Sequence, residues 1–226
     1  MKHRLAAFIL ILVLALFITA CSTSADLIDS PYSVGDIIYL GELQWRVLDV
    51  QDGKVLVISE MVLLRRMWHY EQRNLTWGMS EIRQYLNGPF FDETFSDEEK
   101  ARIIKTNLVN TANPWYGSAG PGEDTIDRVF LLNLDEVIEY FGDSGQIRAS
   151  PRVDIVLTDE YNSERAARDI ETGLASWWWL RTPGYHVNPL LHASAVAVNG
   201  AGEIIIYGIY VISEGGVRPA LWLEVS

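Results

Sequence analysis

Cys21 is the only cysteine in the 226-residue chain, and this constrains the fold more than any other feature. Without a second thiol there is no intramolecular disulfide, no cysteine-based zinc site and no redox pair. Apolar burial must therefore hold the fold together. The composition supplies it, at 49% hydrophobic and 11% aromatic residues, too much apolar content for a disordered protein. Acidic residues outnumber basic ones, 30 against 18, for a formal net charge of −12. Nucleic-acid binding needs clustered Lys and Arg to neutralise phosphates. No such run occurs along the chain, so DNA and RNA are not expected partners.

Lys2, His3 and Arg4 precede an uncharged, mostly apolar run from Leu5 to Ala20, which ends in Ile18-Thr19-Ala20-Cys21. The run is shorter than the roughly 18–20 residues of a membrane-spanning helix and closes on small residues, the pattern of an export signal. The tetrapeptide resembles the bacterial lipobox, in which cleavage precedes a cysteine carrying a diacylglyceryl group. The resemblance implies that residues 1–20 are removed and that lipidated Cys21 anchors the chain to a membrane. The competing readings are an uncleaved anchor or ordinary secretion with a free thiol. All three leave the remainder extracytoplasmic. Residues 21–31 are polar and end at Pro31, which suits a tether. Residues 32–226 read as one domain, long enough to bury about 70% of its unfolded surface.

Within that domain, Asp36 to Leu40, Gln44 to Val50 and Lys54 to Ser59 are β-rich runs separated by Gly41-Glu42 and Asp52-Gly53. They predict an opening meander, with a type I′ turn at Asp52-Gly53. Ile82, Tyr85 and Leu86 have helical spacing behind Thr76 or Ser80 as caps, and Asn87-Gly88-Pro89 predicts the helix end. Ser96 and Glu99 have capping-box spacing. Strands are expected over Ile103 to Val109 and Arg128 to Asn133, a short helix over Asp135 to Phe141, and a helix from Thr158 to about Ile170. The end returns to strands over Trp177 to Arg181, Ala193 to Val198, Glu203 to Tyr207 and Val217 to Leu223. The fold class is α+β, mixed and antiparallel short strands with a few short helices.

Six segments together carry a family resemblance: Trp45-Arg-Val-Leu-Asp49, Thr76-Trp-x-x-Ser80-x-Ile-Arg-x-Tyr-Leu-Asn87, Phe95-Ser-x-x-Glu99-Lys, Asp127-x-Val-Phe-Leu-Leu132, Trp178-Trp-Leu-Arg181-x-Pro-Gly184 and Gly216-Val-Arg-Pro-Ala-Leu-Trp222. The chain resembles a family of uncharacterised bacterial extracytoplasmic domains over most of residues 34 to 223. These domains are similar, more distantly, to the C-type-lectin-like fold shared with formylglycine-generating enzymes. The resemblance implies a scaffold whose loops bind ligands. Its enzymatic branch holds copper on cysteine thiolates, which have no counterpart here. Fold kinship alone would not assign a function.

No nucleophile elbow or phosphate loop is present; Gly117-Ser-Ala-Gly120-Pro-Gly122 has the glycines but lacks the lysine. Beyond the leader, the histidines are His69, His186 and His192. The last two lack zinc-pair spacing and stand as ligand or acid/base candidates against ordinary loop histidines. Glu98-Glu99 and Asp159-Glu160 suit the first turns of helices. Glu123, Asp124 and Asp127 are weak Ca²⁺ candidates against a solvated loop; no other cofactor is expected. In Trp177-Trp178-Trp179, strand alternation turns Trp178 one way and its neighbours the other, with core packing competing against ligand contact. Arg181 and Arg218 read first as structural cations.

The long loop around 110–126, with Trp115 and Tyr116, and the segment 182–193 are the expected binding surfaces. The favoured function is a non-enzymatic binding or accessory module for an envelope glycan, polymer or protein. The alternative is a hydrolase or metal-dependent enzyme whose active site no motif reveals. A structural partner of a neighbouring secreted protein is a third possibility.

Overall fold

The computed structural model describes residues 30–73, 75–116, 120–149, 156–185 and 193–225. The leader, Cys21 and all of the tether before Ser30 lie outside the described residues.

β1 (Ile37–Leu40), β2 (Leu43–Gln51) and β3 (Lys54–Ser59) form the expected meander. Its turns differ from the prediction. Gly41 and Glu42 both have positive φ, 59° and 60°, whereas at Asp52-Gly53 only the glycine does. The double positive-φ signature of a type I′ turn therefore belongs to the first hairpin. β4 (Leu64–Met67) follows in a different sheet.

Ser80 caps α1 (Glu81–Tyr85), its hydroxyl accepting from the Arg83 amide at 3.3 Å. The helix does not stop at Asn87-Gly88-Pro89. It widens into one π turn, Leu86–Phe90, and continues as α2 (Phe91–Thr94). A π turn relaxes the i→i−4 ladder that Pro89 cannot join. Asn87 reinforces the turn: its amide donates to the carbonyls of Arg83 (3.1 Å) and Val129 (2.8 Å), and its side-chain oxygen accepts from the Arg128 amide (2.7 Å). Leu86, Phe90 and Phe91 are buried, so continuing the helix also places apolar surface in the core. α3 (Asp97–Arg102) carries the predicted capping box of Ser96 and Glu99.

The middle strands are shorter than predicted. β5 (Thr106–Leu108) pairs antiparallel with β6 (Thr125–Asp127). The expected strand from Arg128 to Asn133 is instead a buried crossing segment that meets the closing strand at one bridge, Phe130 to Ala220. α4 (Leu134–Phe141) has a capping box of Asn133 and Glu136.

The helix expected from Thr158 to Ile170 is reduced to α5 (Asn162–Arg165). The Arg165 carbonyl is taken by the Trp178 indole N–H at 3.1 Å, and the Arg165 guanidinium by Asn162, Asp159 and the Gly202 carbonyl. The chain leaves as β7 (Ala167–Arg168), paired with β8 (Ala175–Ser176). β9 (Trp178–Pro183), β10 (Ser194–Val198) and β11 (Ile204–Tyr210) follow. The predicted last strand is split into β12 (Glu214–Val217) and β13 (Ala220–Glu224), in different sheets. Pro219 at the crossover has no N–H for a ladder, while its carbonyl accepts from the Ser59 amide at 2.8 Å.

One sheet thus has the order β1-β2-β3-β13 and the other β11-β10-β9-β12-β4. Every strand pair is antiparallel except β9 with β12. The class is α+β. Trp45, Trp68, Trp77, Trp178 and Trp179 are fully buried in the core. Among the described residues no helix is long and apolar enough to cross a membrane.

Candidate functional site

The excursion between β5 and β6 is closed at its neck by Asn110, whose amide N–H donates to Asp124 Oδ1 (3.0 Å) and whose side chain donates to the Glu123 carbonyl (2.8 Å). Farther out, buried Asn113 anchors the loop to the second sheet. Its Nδ2 donates to the carbonyls of Ile206 (2.8 Å) and Pro183 (3.3 Å), while its Oδ1 accepts from the amides of Trp115 and Tyr116.

This anchoring brings three tyrosines from distant parts of the chain together. The Tyr116 ring lies 5.1 Å from Tyr185 and 5.5 Å from Tyr207, and the latter two are 4.9 Å apart. Backbone bonds hold the arrangement: the Tyr185 amide donates to the Tyr207 carbonyl (2.7 Å), and Ser194 Oγ donates to the Tyr185 carbonyl (2.7 Å). Tyr207 faces outward because β11 buries Ile204 and Ile206 on the opposite side. All three rings are half-buried. Burial, reinforced by the neighbouring phenols, raises the Tyr207 phenol above its ordinary value, so the hydroxyl is a neutral donor and acceptor at neutral pH.

On the other flank of the loop, the Trp115 indole donates to the Ile147 carbonyl at 3.0 Å. Pro114, Ile138 and Ile147 line a cavity of about 500 Å³ together with Asp135, Glu139, Asp143 and Arg148. Arg148 pairs with Asp143 at 2.9 Å. The loop therefore separates an aromatic surface from an acid-rimmed hollow. Phenol rings present flat apolar faces with polar edges, suited to sugar rings and peptide side chains.

The tryptophan run alternates as expected, but both sides are covered. Trp178 donates to the Arg165 carbonyl and packs on Phe141; Trp179 donates to the Arg66 carbonyl at 3.0 Å. Trp177 is half-buried and lies edge-on to Trp179 at 4.7 Å. Both rings rest on Gly215, where an added Cβ would come within 2.3 Å of Trp177 and 2.4 Å of Trp179. Of the three, only Trp177 is left with surface to offer a ligand.

Arg181 is 1% exposed. Its guanidinium serves Glu136, Asn110 and the carbonyls of Leu131 and Val109, which uses every donor it has. Buried in this way, the guanidinium has no free donor to turn toward a ligand. Arg218 is also buried: Nε donates to the Ser59 carbonyl at 2.9 Å, and the guanidinium lies against Trp178 and Phe141. Desolvation lowers its pKa to about 10.

Of the Ca²⁺ candidates, Asp127 does not join the others. It is buried and accepts from Trp77 Nε1 (2.9 Å), Thr125 Oγ1 (2.8 Å) and Arg83 Nε (2.7 Å). Glu123 and Asp124 are exposed at the loop neck. Among the described residues no three His, Cys, Asp or Glu side chains converge as a metal site. His186, His192, Gly117, Ser118 and Ala119 lie outside the described residues. His69 is buried, its Nδ1 3.2 Å from Glu81 Oε2.

A family model described as a domain of unknown function, DUF6273, matches residues 52–225. The chain belongs to this family. No curated protein and no solved structure matches it. The DUF6273 match begins in the β2–β3 turn and runs through β13, so it contains Tyr116, Tyr185 and Tyr207 and both closing strands. β1 and β2 precede the match yet complete its first sheet. The sequence singled out Trp115 and Tyr116 and the segment 182–193 that carries Tyr185, but not Tyr207. Ile204, Ile205 and Ile206 are all apolar, so no alternation in the sequence marks Tyr207 as outward.

Proposed function

We propose that this DUF6273 domain is a non-enzymatic binding module, held outside the cytoplasm by a lipid on Cys21, that recognises an envelope glycan, polymer or protein. The observation that carries the reading is the cluster of Tyr116, Tyr185 and Tyr207, three mutually touching phenols that remain partly open to solvent. An aromatic cluster with a purely packing role would be expected to bury its rings, as Trp45, Trp68, Trp77, Trp178 and Trp179 do. The scaffold is C-type-lectin-like in this reading. Support comes from the sheet that joins the opening meander to the closing strand, and from the long loop that reaches the second sheet. The bacterial lipobox resemblance of Ile18 to Cys21 supports the location.

The test is a binding screen of glycans and envelope fragments, with and without Ca²⁺, on the wild-type chain and on Tyr116→Ala, Tyr185→Ala and Tyr207→Ala. Each phenol contributing about 1–1.5 kcal/mol predicts roughly a tenfold affinity loss per variant. A ligand bound equally well by all three folded variants would overturn the site, and turnover of a bound molecule would overturn the non-enzymatic reading.

A further inference from the structure

We propose that a second site, a cationic pocket beside the β5–β6 pair, binds a phosphoryl group. The pocket encloses about 430 Å³ and is lined by Arg83, Gln84, Lys105, Ile126 and Arg128, with Asn87 and Asp127 at its wall. In a chain of net charge −12, two of the pocket's three cations make no ion pair, a state they share among the described residues with Lys54, Arg66, Arg102, Arg168 and Arg218. Arg46, Arg65, Arg73, Arg148, Arg165 and Arg181 each pair with a carboxylate. Lys105 and Arg128 pair with none among the described residues. Asp127, the acid nearest to hand, is already committed to Arg83, Trp77 and Thr125.

Lys105 and Arg128 therefore bring two uncompensated positive charges to one hollow. The Arg128 guanidinium is seated on the Phe91 ring, 5.1 Å from its centroid, which orders the fork without using its N–H donors. Its backbone is held by Asn87 Oδ1 at 2.7 Å. The Gln84 side chain is exposed and has no hydrogen-bond partner among the described residues, so it adds a neutral donor. A phosphomonoester carries about −1.5 to −2 near neutral pH and three acceptor oxygens. That charge matches the uncompensated pair better than a carboxylate's single charge, and guanidinium and ammonium are complementary phosphate ligands.

The site is tested by calorimetric titration of the full chain at constant ionic strength with inorganic phosphate, glycerol phosphate and acetate, on wild type, Lys105→Gln, Arg128→Gln and Tyr116→Ala. Expected is saturable binding of both phosphates, weakened about tenfold in either cation variant and unchanged in Tyr116→Ala. Tighter glycerol phosphate would assign the source to an esterified phosphate, and equal affinity to the free ion. Near-UV circular dichroism reports folding; if Arg128→Gln unfolds, exposed Lys105→Gln decides alone. No saturable phosphate binding, binding indifferent to the cation variants, or acetate bound as tightly as phosphate would each overturn the proposal. Because Tyr116 is outside this pocket, its failure and that of the tyrosine site are separable.

Discussion

Asn113 donates its buried side-chain amide to the Ile206 carbonyl at 2.8 Å, across 93 positions of sequence. The same side chain accepts from the amides of Trp115 and Tyr116. Asn113→Ala leaves these groups buried without partners, which costs about 1–3 kcal/mol. Urea unfolding should show that loss, and near-UV circular dichroism a disturbed tyrosine environment. An unchanged midpoint and spectrum would mean that the loop is held by other contacts.

Arg181 and Glu136 form a two-bond ion pair that joins β9 to the first turn of α4. Removing Arg181 leaves the half-buried Glu136 carboxylate without its partner and strands the Asn110 side-chain oxygen and the Leu131 carbonyl. Arg181→Met is expected to cost about 3–5 kcal/mol, with part recovered when Glu136→Leu is added. Denaturant midpoints of the two single variants and the double variant measure this. Losses that simply add would show that the two residues act independently.

Gly215 has no room for a side chain beneath Trp177 and Trp179. Gly215→Ala should destabilise by about 1–3 kcal/mol through overpacking and shift tryptophan fluorescence as the edge-to-face pair separates. A wild-type melting temperature would contradict the packing described here.

Stability should fall with acid in two stages. Burial lowers the His69 pKa, opposed by Glu81 and Glu71 and reinforced by Arg73. The unfolded chain then binds the proton more readily, so this contribution is complete above about pH 6.5 and is lost as pH falls through the lower folded value. A second stage begins below about pH 4. Glu203 is held low by Asn199 and Thr158; at Asp159 burial pushes upward but is outweighed by bonds from Arg165, Ser144 and the Tyr161 amide. Their contribution is present above the unfolded carboxylate range and lost as they protonate. Melting temperatures across pH should show both stages in wild type and only the second in His69→Gln. Parallel curves for the two proteins between about pH 5 and 6.5 would reject the assignment.

Under the proposed location, Cys21→Ser should release the protein from membranes without changing its melting temperature. Fractionation after a salt wash checks this. A variant that still sediments with membranes would count against the lipid tether.

Signals within a few residues of one another were legible. The opening meander, the Ser80 cap, the Ser96–Glu99 capping box and the β10–β11 hairpin follow from alternation, turn residues and cap spacing, because each is satisfied by its own neighbours. The failures share one cause. The stop at Pro89, the long helix after Thr158 and the single closing strand were reasonable local readings, overridden by Asn87 bonding to Val129, Trp178 taking the Arg165 carbonyl, and the chain changing sheets at Pro219.

Residue order alone dictated a disulfide-free α+β fold held by apolar burial, because one cysteine cannot cross-link and short alternating runs can bury only one face. It also marked the loop bearing Trp115 and Tyr116. Only the tertiary structure decided that Tyr185 and Tyr207 complete that surface, that Trp178, Trp179 and Arg181 are internal, and that Lys105 and Arg128 share one pocket. Those outcomes depend on which distant backbone carbonyls and carboxylates come within hydrogen-bonding reach. Contacts of that range, about 3 Å, are set by chain closure and leave no periodic trace in the sequence.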